Sequence, residues 1–355
     1  MAVTVGLDIG TTAVRAAVVD VGKSPPILRR FADLPLPHGA VVNGDILDEA
    51  AVVEAISALW SQAKLPKKRV VVGVANQRVV VRQVDVPQME EDELAEALPY
   101  QVQDSIPIAV EDAVLDFVPL AEFTTPEGEP MLSILVIAAP REVIDVVTRV
   151  AAEAKLSLSA IDLQSFALAR AIAGRGSGVG AAPTAIVDFG GSISQVIVVK
   201  GGQVQFVRLL PRGGEDFTNV LADGLNLDED EAEPLKRRIG VAAEEAPTGG
   251  GEDELALRLL TRQADSLIEE VRGSFNYYMS QAPDEDAIEQ VIVAGNAARL
   301  PHLANRLGRA LGIPVAPART LAEVEVGRVQ MSEEELLSKQ PILSTAVGLA
   351  LWAEA

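Results

Sequence analysis

The strongest constraint on the fold is a motif that occurs twice. An apolar run, Val3-Thr4-Val5-Gly6-Leu7, enters Asp8-Ile9-Gly10-Thr11-Thr12, and Ala13 to Val19 returns as a second apolar run. Ala185-Ile186-Val187 likewise enters Asp188-Phe189-Gly190-Gly191-Ser192, and Gln195 to Val199 returns. In each copy a glycine, Gly22 or Gly202, stands 14 residues beyond the aspartate and starts a third predicted strand, Ile27 to Phe31 or Val204 to Leu210. Self-similarity of this kind marks a duplicated unit. A plain hairpin tip would need only Asn-Gly or Asp-Gly between the strands. Here a carboxylate, a glycine and hydroxyls sit together. Gly10 and Gly190 have no Cβ, so the backbone can come close to a ligand. Successive N–H groups in such a turn line a concavity suited to phosphate oxygens. Thr11, Thr12 and Ser192 add hydroxyl donors, and Asp8 and Asp188 can each hold a hydrated divalent cation through water. Two such turns predict two lobes facing each other across one anionic ligand.

Composition narrows the classes. A chain of 355 residues has room for more than one domain. Its formal charge of −21 argues against a nucleic-acid partner, because phosphates would be repelled. With no Cys, disulfides, thiolate zinc sites and Cys nucleophiles are excluded. Two histidines, His38 and His302, are too few for a His-based metal centre and are expected on the surface or in loops. Met1 leads straight into a strand, so no signal peptide is expected. No stretch reaches the length of a membrane span, which predicts a cytoplasmic protein without direct membrane insertion.

The order of predicted elements is α/β. Residues 48–64 form an amphipathic helix capped by Asp48. Strands at 69–75 and 77–86 are expected to pair with each other. Residues 87–155 form an insert with a first helix at 89–105, kinked at Pro99, strands at 111–120 and 131–139, and a second helix at 141–155. A strand at 158–163, a helix at 164–173 and a Gly/Ala/Ser-rich link at 174–182 follow. In the second half, the pair Gly213-Gly214 opens a helix whose N-terminus is expected to face anions. A last short helix is expected from Thr345. The domains are therefore expected at 1–86 plus 156–180, at 87–155 and at 181–355, with about 226–285 as a helical upper part of the last.

The turns at Asp8-x-Gly10-Thr11-Thr12, Asp188-x-Gly190-Gly191-Ser192 and Ala294-Gly295-Asn296 resemble those of the actin and heat-shock ATPase superfamily. The resemblance implies two ribonuclease H-like lobes around a nucleotide cleft that holds ATP or ADP with Mg2+. In that superfamily the first two turns hold the phosphates and the third lies against the adenosine. Gly213-Gly214-Glu215-Asp216-Phe217 is similar to a loop of the heat-shock ATPases. Glu233 and Lys236 fall where the superfamily contacts ribose and base. Arg15 stands where a lysine is frequent, and its guanidinium can still pair with phosphate. Gly191 replaces actin's second aspartate, and no general base stands out, so at most slow hydrolysis is expected. Asn296 replaces a glycine of the adenosine turn and is a residue that tolerates left-handed backbone.

The insert is similar to that of FtsA and, more closely, of the PilM family of actin-like type IV pilus assembly proteins. The residues that carry this are Pro87-x-Met89-Glu90-Glu91, Ile106-Pro107, Asp116, Arg208, Tyr277-Tyr278 and Gly348-Leu349-Ala350-Leu351. The resemblance implies a scaffold under the inner membrane that binds the cytoplasmic N-terminal peptide of a PilN-like membrane protein. The groove between the insert and the first lobe would hold that peptide. Expected contacts are Val79, Val81 and Val84 on one strand and Leu94, Leu98 and Val102 on the insert's first helix. Self-association is left open. The alternatives are an FtsA-like filament protein, against which stands the expectation that no amphipathic tail follows Ala355, and a small-molecule kinase of the superfamily.

Overall fold

Two sheets repeat one topology. The computed structural model describes residues 3–173, 182–244, 250–281 and 287–352, and most of the Gly/Ala/Ser-rich link lies outside these. In the first lobe the strands lie in the order Leu158–Leu163, Val70–Val74, Val3–Ile9, Ala13–Asp20, Ile27–Pro35, with Glu325–Val326 added at the far edge. In the second lobe the order is Val315–Pro317, Gln290–Ala294, Thr184–Phe189, Ser194–Lys200, Gln203–Leu210. Each lobe thus has an antiparallel meander of three strands followed by two parallel strands on the side of the first. The registers match as well: Asp8 lies opposite Arg15, and Asp188 opposite Gln195. Both central strands are buried on both faces, which explains their continuous apolar runs.

The 49–63 helix starts where Asp48 accepts the N–H of Ala51, and it buries Val52, Ile56, Leu59 and Trp60 against the first sheet. The 164–173 helix and the Gln340–Ala350 helix cross on the opposite side. They approach so closely that a Cβ on Gly348 would lie 1.8 Å from the carbonyl oxygen of Ala167. This last helix begins five residues before its expected start at Thr345, with Pro341 in its first turn, a position that needs no N–H.

The expected pairing of the strands at 69–75 and 77–86 does not occur. Val70–Val74 joins the first sheet between two parallel neighbours. Val80–Pro87 instead pairs antiparallel with Pro130–Pro140, which also pairs with Ala113–Thr124, so the insert's three-stranded sheet starts at residue 80. Two adjacent apolar runs signal two strands, but the choice of neighbour belongs to distant residues. The Glu91–Val102 helix runs continuously through Pro99. The Arg141–Glu153 helix packs Val143, Val147, Val150 and Ala151 into the first lobe's core and not into the insert's own. That smaller core consists of Val86, Leu94, Leu98, Val102, Ile106, Ile134, Val136 and Ala138.

Candidate functional site

The two Asp-Gly turns meet. The hydroxyls of Thr11 and Ser192 are 2.8 Å apart, and the Ser192 N–H donates to Thr11 Oγ1 at 3.1 Å. The Asn43 N–H donates to Ser192 Oγ at 3.0 Å. Around this contact lies a cavity of about 70 Å3 lined by Asp8, Gly10, Thr11, Thr12 and Arg15 from the first lobe and by Asp188, Gly190, Gly191, Gly295 and Asn296 from the second. Through Thr12, Gly190, Gly191 and Asn296 it opens into a larger cavity of about 340 Å3, which Gly214, Phe217, Glu233, Lys236 and Leu300 also line. One end is therefore narrow and rich in backbone amides, and the other is wide and partly apolar. These proportions suit a phosphate chain and a nucleoside.

The glycines are set by close approach. A Cβ on Gly213 would lie 2.3 Å from the Gly191 carbonyl oxygen, and one on Gly191 would lie 2.7 Å from Thr11 Cβ. An aspartate at 191 would therefore collide with the opposite turn. Gly295 has φ +90°, and a Cβ there would strike the Phe189 carbonyl at 2.3 Å and Asp188 Oδ1 at 2.7 Å. Asn296 itself is right-handed, with φ −70° and ψ −37°, so the left-handed backbone anticipated for it falls on Gly295. The first two amides of the Gly214–Leu225 helix are taken up by the second turn. Its Gly214 and Glu215 N–H groups donate to the Gly190 and Gly191 carbonyls at 2.9 Å, and Gly213 N–H donates to Asp216. The helix N-terminus holds the second turn in place by these bonds.

Asp8 and Asp188 face each other at the floor of the cleft, and both are buried. Burial raises the Asp8 pKa, and the nearby Arg15 guanidinium, 3.3 Å away, opposes this. Burial and the Asp8 charge together push Asp188 up to about 7. The sequence reading missed the two side chains that bridge them. Gln164 Nε2 donates to Asp8 Oδ1 at 3.0 Å, Gln195 Nε2 donates to Asp188 Oδ2 at 3.3 Å, and Gln195 Nε2 reaches Gln164 Oε1 at 3.4 Å. The Ser165 hydroxyl donates to Gln195 Oε1 at 2.6 Å. The repeat does carry a signal for Gln195, since it follows Asp188 by the same 7 residues that separate Arg15 from Asp8. Arg15 Nε is buried and has no hydrogen-bond partner among the described residues. Among the described residues no three His, Cys, Asp or Glu side chains converge as a metal site.

Toward the wide end, Lys236 Nζ donates to the Gly214 carbonyl at 2.9 Å and to Thr218 Oγ1 at 2.8 Å, and it pairs with Glu233. Burial pushes the Lys236 pKa down. Burial would raise that of Glu233, but hydrogen bonds from Lys236, Thr218 and Arg237 carry it below its ordinary value. The two form an ion pair that shapes the wall.

A second cavity, of about 300 Å3, lies between the insert's edge strand and the first lobe. Val114, Asp116 and Val118 line one wall at alternate positions, Ile144 lies at one end, and Ile161, Leu163, Phe166 and Arg170 line the other wall. Val79 lines this groove but is itself buried in the first lobe's core. Val81 and Val84 line a different cleft, between the insert and the second lobe. Leu94 and Val102 are buried against the insert's own sheet, which corrects the expectation for these two. Leu98 is buried there too, but it also lines a cavity of about 370 Å3 with Val114 and Asp116 of the edge strand. An apolar stripe shows only that a helix covers something, and here the sheet behind it takes up most of the stripe.

A duplicated five-stranded sheet with one Asp-Gly turn from each copy meeting over a two-part cleft defines a protein of the actin-like ATPase fold. Residues 6–354 match the family model for the type IV pilus assembly protein PilM, and the chain belongs to that family. The solved structure of a PilM-PilN type IV pilus biogenesis complex is 27% identical, covers 98% of this chain and 97% of that chain, and superposes with a TM-score of 0.85. The cell division protein FtsA of Bacillus subtilis (strain 168) is 24% identical over 267 residues, 67% of this chain. The chain spans only 58% of that relative's length. MreB5 of Spiroplasma citri bound to AMPPNP shares the fold, with a TM-score of 0.52, 14% identity and coverage of 90% of this chain and 94% of that chain. Among the described residues no helix is long and apolar enough to cross a membrane.

Proposed function

We propose that this member of the PilM family is a nucleotide-binding scaffold that holds the N-terminal peptide of a PilN-like membrane protein at the inner face of the cytoplasmic membrane. The observation that carries the reading is that two distinct receptors both border the 164–173 segment of the first lobe. A polar cleft with two buried carboxylates, one from each lobe, reaches Gln164, and an apolar groove against the insert is lined by Phe166 and Arg170. In the cleft, the amides and hydroxyls at Gly10 to Thr12 and Gly190 to Ser192 would hold the phosphates of ATP or ADP, and Arg15, with its unpartnered Nε, would add a cation. Asp8 and Asp188 suit Mg2+ held through its waters, because two carboxylates are too few to enclose it directly. Such a cation supplies charge screening between carboxylates and phosphates. Glu233, Lys236 and the Gly295-Asn296 turn would flank the nucleoside. Residues 3–79, 156–173 and 320–352 would act as the first lobe, since Glu325–Val326 joins its sheet and the last helix packs on it, with 80–155 as the insert and 182–319 as the second lobe.

In the groove, the strand Ala113–Thr124 is the free edge of its sheet, and Leu158–Leu163 is the free edge of the first lobe's sheet. An extended peptide entering between them meets unpaired backbone groups and apolar pockets, the usual mode of strand addition. The test uses a labelled synthetic peptide of the PilN amino terminus and calorimetry with Mg2+ and ADP. Val114 is 36% exposed, so Val114→Glu should fold normally yet weaken the peptide at least about tenfold. Unchanged peptide affinity in that variant removes the groove from the reading. Unchanged nucleotide affinity in Asp8→Ala removes the cleft.

A further inference from the structure

We infer that the 164–173 helix couples the two receptors, with Gln164 and Ser165 as positioning residues that link occupancy of the phosphate cleft to the shape of the apolar groove. This inference rests on the functional reading above. Leu163 lines the groove and Gln164, its neighbour in the chain, lines the cleft. On the same helix Phe166 and Arg170 face the groove. At the cleft end, the Gln164 amide donates to Asp8, and through Gln195 it is connected to Asp188 of the other lobe. Ser165 fixes the Gln195 amide by donating to its oxygen, which aims the Gln195 N–H groups at Gln164 and Asp188. At the groove end, Arg170 pairs with Asp162 and donates to the Gly348 carbonyl at 3.2 Å.

The helix cannot yield locally to a change at either end. Seven of its residues beyond Gln164 are buried, and the backbone contact at Ala167 and Gly348 leaves no slack between it and the last helix. A closely packed element transmits a displacement, because the interior does not compress to absorb it. At the cleft end there are two arrangements. Gln195 divides one amide between Gln164 and Asp188 at 3.4 and 3.3 Å, and Gln164 in turn holds Asp8 at 3.0 Å. A phosphate chain seated between the two turns presses on this shared network. In the second arrangement Gln195 turns wholly to Asp188 and Gln164 wholly to Asp8, and the long bond between the two amides, with the tie it makes between the lobes at the start of the helix, is lost. Leu163, Phe166 and Arg170 shift with the helix.

Coupling of this kind is reciprocal and is read as a ratio of affinities. The affinity of the labelled PilN peptide is measured with and without saturating ADP and Mg2+, and that of ADP with and without saturating peptide. We expect the same factor in both directions, at least about fivefold. In Gln164→Met, which keeps the length and removes both hydrogen-bonding atoms, the factor should fall to within about twofold of unity even where ADP itself binds more weakly, since saturation compensates. Ser165→Ala touches neither receptor and should also lower the factor while leaving peptide affinity without nucleotide unchanged. Retained peptide binding reports that both variants are folded. If both ligands bind the parent protein with no mutual effect, or if both variants keep the parent's factor, the coupling helix is wrong. If ADP or the peptide fails to bind the parent at all, it is the functional reading that fails, and the coupling falls with it.

Discussion

Replacing Asp188 by Asn should stabilise the ligand-free protein while removing its cation-dependent nucleotide binding. Asp188 is buried beside Asp8, and these surroundings push its pKa from 3.8 to about 7. A folded-state pKa above the unfolded value means that the folded protein holds the proton more tightly. The folded state therefore loses stability relative to the unfolded chain as pH rises from the unfolded value through the folded one, and the loss levels off above about pH 7. At that plateau the cost is at most about 4 kcal/mol, from about 1.4 kcal/mol per tenfold difference in proton affinity. Asn has nearly the same shape, its carbonyl can accept the Gln195 N–H, and it has no charge to bury. Between about pH 5.5 and pH 8 the advantage of Asp188→Asn over the parent should widen by about 2 kcal/mol. For a chain of 355 residues that is a growth of about 3 °C in the difference between melting temperatures. Differential scanning fluorimetry across pH, without nucleotide or Mg2+, reads it directly. A difference that stays constant with pH, or a variant that melts below the parent at about pH 8, refutes the buried-carboxylate reasoning.

Other expectations follow from the same geometry. Gly213→Ala must displace the Gly191 carbonyl, only 2.3 Å from the new methyl, and should weaken ADP at least about tenfold in calorimetry while the fold survives in circular dichroism. Steady-state ATP hydrolysis should stay well under the ~1–1000 per second of typical enzymes, because Gly191 offers no carboxylate to direct water; a rate in that range, abolished by Asp188→Ala, would overturn this. Leu98→Glu places a charge in the insert's closed core and should destabilise it by about 3–5 kcal/mol, seen as an early urea transition and not as a purely local loss of peptide binding.

The sequence by itself determined the local chemistry. The Asp-x-Gly turns, their shared spacing and the runs of Val, Ile and Ala that flank them are properties of consecutive residues, so the duplication, the α/β class and the two Asp-Gly turns could all be read without coordinates. The 49–63 and 164–173 helices were legible for the same reason, since their period and the Asp48 cap are local. Tertiary structure decided everything that depends on a partner far along the chain. The strand at 80–87 chose Pro130–Pro140 over its predecessor because ladder bonds can be made with any edge of matching register. Leu94, Leu98 and Val102 advertised an apolar face, but the insert's own sheet buries most of it, and only Leu98 also lines a cavity. Gln164 looked like an ordinary helix start until the fold set it beside Asp8, 156 residues away. Thr11 and Ser192, 181 residues apart, became one contact only because two copies of a folded unit close face to face. Local turns need only neighbouring backbone to form, whereas a cleft needs two surfaces, and the relation between them is written in the packing of the whole chain.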